Sequence, residues 1–208
     1  YDTLQRFWTN AATPGGIELY DSSNKVIPEK LYELQSWFEE NFFDGTITSA
    51  KSLGYDSTPV QISTAKSHLR DPIFQISVLE PFQCTWWANC RASWYLNQMD
   101  PEKFPRGLDY AKGNGGVVAT NLSSHFGVTL YRNARDIKPN AVVSFTGTNG
   151  YGHVAYVEAV DSEGYYISEA SGWLESETHN KWNGIRKVSF DDPDFYGFVL
   201  MDDILNSK

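Results

Sequence analysis

Residues 84–98 have the sequence CTWWANCRASWYLNQ, which predicts a helix. Trp86, Cys90 and Trp94 recur at every fourth position and therefore share one face, with Trp87 beside them. Aromatic residues make up 15% of the chain, and large rings of this kind belong mostly in protein cores. The segment therefore predicts a helix whose aromatic face lies in the core.

A shorter helix and a series of strands are predicted after this segment. The helix spans about 116–126 and is closed by Gly127. Alternating apolar patterns predict strands at 141–145, 153–160, 165–171, 187–190 and 197–201. The sequence DSEG at 161–164 indicates a hairpin turn between the second and third of them. Because helices come first and an antiparallel sheet follows, we predict an α+β fold.

The first 70 residues differ from the rest in character. One amphipathic helix is predicted at 28–43, where an apolar face is formed by Leu31, Leu34, Trp37, Phe38 and Phe42. Pro28 suits its first turn and Gly45 its exit. We place a boundary at Asp71-Pro72, so that residues 1–71 form a mostly helical N-terminal extension or packing lobe and residues 72–208 form the second domain.

Length and charge exclude several classes of function. The chain has 208 residues, 17 Lys and Arg against 26 Asp and Glu, and a net charge of −9. A duplex nucleic-acid binder needs a basic face, and adsorption to an anionic membrane needs positive charge. No apolar run reaches the roughly 18–20 residues that span a bilayer. Since the sequence begins at Tyr1 without Met or a signal peptide, we expect a mature product or an excised piece.

Cys84 is the candidate nucleophile. The chain has 2 cysteines, and the six-residue step from Cys84 to Cys90 along a helix separates their α-carbons by about 9 Å, too far for a disulfide. Cys84 opens the predicted helix, where free backbone N–H groups and the helix dipole stabilise a thiolate. Cys90 lies in mid-helix and is expected to be an inert core thiol. Cys84 is therefore either chemical or another small buried residue.

His153 is the candidate base. It begins an apolar strand directly after the flexible sequence TGTNGYG, where glycines leave room for a substrate backbone. The other three histidines are expected at a polar surface, at a helix end and in a polar loop, and these are His68, His125 and His179. A cysteine–histidine pair also needs a group that orients the imidazole. Glu169 interrupts an apolar alternation in the next strand, so it either faces water at an edge or fills that role.

Short motifs surround these three residues. They are FQCTWWA at 82–88 followed by Arg91, AVVSF at 141–145, YGHVAYVE at 151–158 and YISE at 166–169. Together they resemble CHAP domains (cysteine, histidine-dependent amidohydrolases/peptidases) over about residues 72–205. The resemblance implies a papain-like fold with Cys84 as nucleophile, His153 as base and Glu169 as orienting group.

The orienting group has an alternative. Many CHAP sequences have Asn two residues beyond the Glu, where this chain has Ser171. The turn at 161–164 favours a register with Ser171 opposite His153 and Glu169 diagonal to it, about 7–8 Å away between α-carbons. A bulge, which is frequent beside active sites, would change that register. We predict Glu169 as the orienting group, with Ser171 as the alternative.

The remaining candidates are weaker. Gln83 either helps the Cys84 backbone N–H hold an oxyanion or caps the helix. Trp86, Trp87 and Trp173 are candidates for the wall of a substrate groove, although core packing is the expected role of the first two. We expect no metal and no cofactor, because no zinc spacing or calcium-binding loop is present in the sequence.

The resemblance implies bacterial peptidoglycan as the partner and substrate. The cut would be that of an N-acetylmuramoyl-L-alanine amidase or of a stem or cross-bridge endopeptidase, made outside the cell or at the wall. The setting would be a phage lysin, an autolysin or a wall-opening protein of a conjugation apparatus, and the partners would be peptidoglycan and either other domains of a larger wall-targeted protein or that apparatus. Two alternatives remain: a catalytically silent wall-binding or scaffold module, and an amidase acting on a small soluble amide.

Overall fold

The structure is a computed structural model that describes residues 13–44, 47–50, 52, 58–109, 113–147, 150–171 and 180–208. The α-helices in this part of the chain are α1 (Pro28–Phe42), α2 (Pro59–Ser67), α3 (Pro72–Ile76), α4 (Cys84–Met99), α5 (Gly115–Phe126) and α6 (Met201–Leu205). The strands are β1 (Ala141–Phe145), β2 (His153–Asp161), β3 (Gly164–Ser171), β4 (Lys181–Val188) and β5 (Phe195–Leu200). The predicted α+β class is confirmed.

The strands form a five-stranded antiparallel sheet in the order β4-β3-β2-β1-β5. The predicted hairpin is present, with Asp161 paired to Gly164. The strand predicted at 187–190 was wrong, because β4 begins at Lys181 and ends at Val188. This strand lies at a sheet edge and its side chains are half exposed, so its apolar alternation is weak. The strand predicted at 197–201 is displaced, because Met201 begins α6.

Helix α4 packs against β2 and β3 and carries the aromatic face that the sequence predicted. Trp86, Trp87 and Cys90 are fully buried in one hydrophobic cluster. Core packing, the expected role of Trp86 and Trp87, is therefore confirmed, and neither ring is available to line a groove. Trp173 lies outside the described residues.

Helix α1 contributes to the same cluster as α4. Its Leu34, Phe38 and Phe42 are buried as predicted, and the Phe38 ring lies 5.3 Å from the Trp87 ring in an edge-to-face contact. The two parts of the chain thus share core contacts across the boundary proposed at Asp71-Pro72. That division into a packing lobe and a second domain remains a proposal. Among the described residues, no helix has the length and apolarity needed to cross a membrane.

Candidate active site

Cys84 is the first residue of α4 and is only partly buried. Its thiol interacts with the His153 ring and raises the pKa of that imidazole. Cys90, one and a half turns further along, is fully buried and has no access to solvent. Burial raises the pKa of the Cys90 thiol, which keeps it protonated and unreactive. The structure therefore separates the two thiols into one at an open helix end and one in the core.

The His153 side chain is enclosed by contacts on three sides. Its Nε2 lies 2.8 Å from Glu169 Oε1, so Nδ1 is the ring nitrogen left for Cys84. The ring stacks on Phe145 with 6.0 Å between centroids. Burial lowers the pKa of His153, but the hydrogen bonds and charges of Cys84 and Glu169 outweigh it and raise the pKa to about 9. The imidazolium form is therefore favoured at neutral pH.

Close backbone packing holds His153 in place from behind. A methyl group at Gly115 would lie 2.6 Å from the His153 carbonyl carbon, so only glycine fits at the start of α5. The next backbone N–H, that of Gly116, donates to the Tyr151 carbonyl at 3.0 Å. Ser144 donates to the Gly115 carbonyl at 2.8 Å and is completely buried. These contacts fix the N-terminal end of α5 against the beginning of β2.

A β-bulge at Glu158 brings Glu169 onto the same face of the sheet as His153. From the turn to Ala159, β2 and β3 pair in one register. If that register continued, Glu169 would lie opposite Tyr156. Its side chain would then be on the face of the sheet opposite to His153, because side chains alternate along a strand. Beyond the bulge, Tyr156 pairs with Ser168 instead. Extending this register sets Ser171 opposite His153 and leaves Glu169 diagonal to it. The Glu169 carboxylate nevertheless reaches His153 because its side chain is long enough to span the diagonal.

Glu169 is shared between His153 and Arg186. The Arg186 Nε donates to Glu169 Oε2, and its Nη2 lies 3.4 Å from Oε1. Only 8% of the Glu169 side chain is exposed. Burial raises the pKa of this carboxyl group, but the hydrogen bonds and charges of His153 and Arg186 outweigh it, and the pKa lies below its usual value. Glu169 is therefore held as a carboxylate.

A buried polar network connects the three elements that carry these side chains. Arg91 of α4 binds the Glu158 carboxylate of β2 through Nε at 3.0 Å and Nη2 at 2.8 Å. Ser168 of β3 donates to Glu158 at 2.7 Å, and the Trp87 indole donates to Ser168 at 2.8 Å. Ser168 directly precedes Glu169, and Glu158 is the bulge residue itself. The network thus ties the Cys84 helix to the strands of His153 and Glu169.

The other residues considered in the sequence analysis make contacts of their own or lie elsewhere. Gln83 occupies the N-cap position of α4 without a side-chain cap bond, and its amide donates to Glu80 at 2.6 Å. Ser171 pairs with Lys181 of β4. His68 lies 3.6 Å from Asp44 on the surface. His125 lies in the last turn of α5 as expected, whereas His179 and Trp173 lie outside the described residues.

Sequence reasoning missed Arg186 and the Gly115 contact. Arg186 lies in the part of β4 that was not predicted as strand, so nothing placed it beside Glu169. Gly115 opens α5, and only the position of β2 reveals why glycine is needed there. Within the described ranges no cluster of three or more His, Cys, Asp or Glu has the geometry to hold a metal ion. The expectation of no metal and no cofactor stays a prediction.

The fold and the site together define an α+β protein in which one histidine interacts with a cysteine thiol and is hydrogen-bonded to a carboxylate. The sequence model of the CHAP domain matches residues 77–171, the segment that contains all three side chains. Residues 77–171 therefore match the CHAP domain family, as their resemblance predicted, and the sheet and helices agree with its papain-like fold. A CHAP domain supports a peptidoglycan hydrolase or amidase type of function in general.

Other comparisons add little to the family match. No curated protein matches this chain. Among solved structures, 6 chains match. One of these, "The crystal structure of Ly7917", is 19% identical to this chain, with a TM-score of 0.39. The match covers 57% of this chain and 52% of that one, so it spans about half the length of the solved chain.

Proposed function

We propose that this chain is a peptidoglycan hydrolase that cleaves an amide bond through the Cys84 thiolate. The observation that carries the proposal is the arrangement of His153, which interacts with the Cys84 thiol and is hydrogen-bonded to Glu169 at 2.8 Å. The thiol lies at the N-terminus of a 16-residue helix, whose dipole favours an anion. The pKa of about 9 at His153 supplies an imidazolium that can pair with that anion at neutral pH.

The proposed reaction has two half-reactions. The Cys84 thiolate attacks the carbonyl carbon of the scissile amide, and the His153 imidazolium gives its proton to the leaving amine as the C–N bond breaks. A thioester with Cys84 remains. His153, now neutral, takes a proton from water, the hydroxyl oxygen attacks the thioester carbonyl, and the Cys84 thiolate leaves. Glu169 holds the ring and stabilises its charged form throughout.

The tetrahedral intermediates of both half-reactions carry an oxyanion. The backbone N–H of Cys84 belongs to the first turn of α4, where N–H groups lack partners within the helix. We assign this N–H as one oxyanion donor. The Gln83 side chain is the second candidate, and it would have to release Glu80 to serve, since its amide donates to that carboxylate in this structure.

The proposed substrate is the bacterial wall, cut either at the N-acetylmuramoyl-L-alanine bond or within a stem or cross-bridge peptide. Purified peptidoglycan incubated with the protein, followed by mass spectrometry of the released fragments, tests both forms. Intact stems freed from muramic acid identify an amidase, and new N-termini on stem peptides identify an endopeptidase. Action at the wall implies an extracellular or wall-associated location, in a lysin, an autolysin or a conjugation apparatus.

Two variants and one matched control make the test specific. Cys84→Ser and His153→Ala should each abolish fragment release, and Cys84→Ser should leave Tm nearly unchanged because the thiol lies at an open helix end. Cys90→Ala removes the other thiol, should retain activity and should cost on the order of 1 kcal/mol of stability. Fragment release by Cys84→Ser equal to that of wild type would disprove the mechanism. Turnover of small amides without attack on walls would disprove the substrate.

A further inference from the structure

Arg186 contacts the carboxylate of Glu169 from the side opposite to His153. It belongs to β4, where it pairs with Ile167, while Glu169 pairs with Gly184. Arg186 is therefore diagonal to Glu169 across β3 and β4, as Glu169 is diagonal to His153 across β2 and β3. The three side chains form one diagonal row over three neighbouring strands. Arg186 binds Oε2 through Nε and approaches Oε1 through Nη2.

The diagonal position of Glu169 makes its side-chain conformation critical. A glutamate has three rotatable bonds, so a carboxylate spanning about 7–8 Å between diagonal α-carbons has many alternatives to the orientation that meets His153. A planar guanidinium that binds both oxygens selects one orientation of the carboxylate. Gly184, directly opposite Glu169, has no side chain that could do this.

We propose that Arg186 is a positioning residue that fixes the Glu169 carboxylate toward His153 and thereby orients the imidazole that serves Cys84. This proposal deepens the proposed function, since it concerns the same site. Within the described part of the chain, the Arg186 guanidinium binds Glu169 and neither Cys84 nor His153, so it acts through Glu169. The Arg186 side chain is 52% exposed, whereas that of Glu169 is only 8% exposed.

Lys187 shows what an ordinary surface charge on the same strand does, and it differs from Arg186 in its contacts. Lys187, the next residue, forms an ion pair with Glu163 at 3.0 Å, and both side chains are about half exposed. Exposed pairs of this kind contribute little. Lys187→Met therefore removes the same charge from the same strand without touching the site, and it serves as the matched control for Arg186→Met.

The test measures how fast iodoacetamide alkylates Cys84. The reagent is small and neutral, so it needs no wall-binding groove. In a Cys90→Ala background Cys84 is the single thiol, because the chain has 2 cysteines. Alkylation at pH 7 reports the thiolate that His153 maintains. We expect Arg186→Met to slow it on the order of tenfold, and Lys187→Met to leave it unchanged.

The conservative variant and a pH series complete the experiment. Arg186→Lys should recover only part of the rate, because one ammonium cannot hold both carboxylate oxygens. The Arg186→Met rate should recover as pH rises, since a free thiol then ionises without His153. An unchanged or faster rate at pH 7 in Arg186→Met, or full recovery in Arg186→Lys, would overturn the proposal. Arg186→Gln repeats the test if the Met variant has a lower Tm.

The alkylation result is independent of the wall substrate. Slow alkylation in Arg186→Met with no attack on peptidoglycan by the unmodified chain would refute the proposed function and keep the positioning role. If walls are cleaved, Arg186→Met should lower kcat with little change in KM, because substrate contacts remain. A raised KM at normal kcat would instead make Arg186 a substrate contact and would refute the positioning role.

Discussion

Arg91 and Glu158 form a two-point ion pair in the interior, and their side chains are 1% and 2% exposed. The Arg91 guanidinium also lies 4.3 Å from the centre of the Tyr156 ring. Because Glu158 is the bulge residue of β2, this pair holds the irregularity that places Glu169 and His153 on one face. The ion pair therefore links core structure to the geometry of the site.

Removing one partner of this pair should be costly. Arg91→Met would leave the Glu158 charge buried with too few partners, and we expect a loss of about 3–5 kcal/mol in the free energy of unfolding. The double variant Arg91→Met, Glu158→Gln should lose much less than the two single changes combined. Urea denaturation of the four proteins measures this. A loss below about 1 kcal/mol in Arg91→Met, typical of surface pairs, would contradict the interpretation.

Gly115→Ala should impair catalysis by displacing His153. The new methyl group would lie 2.6 Å from the His153 carbonyl carbon and 2.7 Å from its Cα, so the strand has to move. Displacement of a reacting group by about 1 Å costs on the order of a hundredfold in rate. Measured kcat/KM on wall fragments should fall accordingly. Gly116→Ala, whose nearest contacts are 3.3 Å, is the neighbouring control and should lose much less.

Substitutions at Glu169 and Ser171 distinguish the two candidate orienting groups. Glu169→Gln keeps the shape and removes the charge that stabilises the imidazolium, so kcat/KM should fall by orders of magnitude. Ser171→Ala removes one neutral hydrogen-bonding group of about 1 kcal/mol and should cost far less. The comparison is made at one pH on proteins of equal Tm. A larger loss in Ser171→Ala would assign the role to Ser171.

The raised pKa of His153 predicts the alkaline limit of activity. Below a pKa of about 9 the ring is protonated and can deliver its proton to the leaving amine, so kcat/KM should fall as pH rises through about 9. Glu169 contributes to this raised pKa, so Glu169→Gln should move the limit to lower pH. A wild-type limit near the ordinary histidine value of 6.5 would contradict the assignment.

The same shift predicts the pH dependence of stability. The pKa of His153 is about 9 in the folded chain and 6.5 when unperturbed, so the folded state binds the proton more tightly. The stabilisation from this site is fully present below pH 6.5 and is lost as pH rises through about 9. The free energy of unfolding of wild type relative to His153→Ala should therefore be larger at about pH 6 than at about pH 10.

Local sequence patterns were sufficient to predict the helix and the hairpin that carry the site residues. The apolar spacing from Trp86 to Trp94 predicted α4 and placed Cys84 at its first residue. The DSEG turn and the alternation around it predicted the β2–β3 hairpin. These features depend on residues within one or two turns of a helix or on a single hairpin, so their physical cause lies in neighbouring sequence positions.

Strand register and long-range contacts were decided by the tertiary structure. The bulge residue Glu158 is bound by Arg91, which lies 67 positions earlier, and the bulge decides which face Glu169 occupies. Arg186 reaches Glu169 only because β4 pairs with β3, and its half-exposed strand has no strong apolar alternation. The sequence by itself thus determined which residues could react. Packing between distant segments decided which side chain meets His153 and what holds it there. The alternating pattern alone cannot decide this, because several strand registers keep the same residues on the buried face.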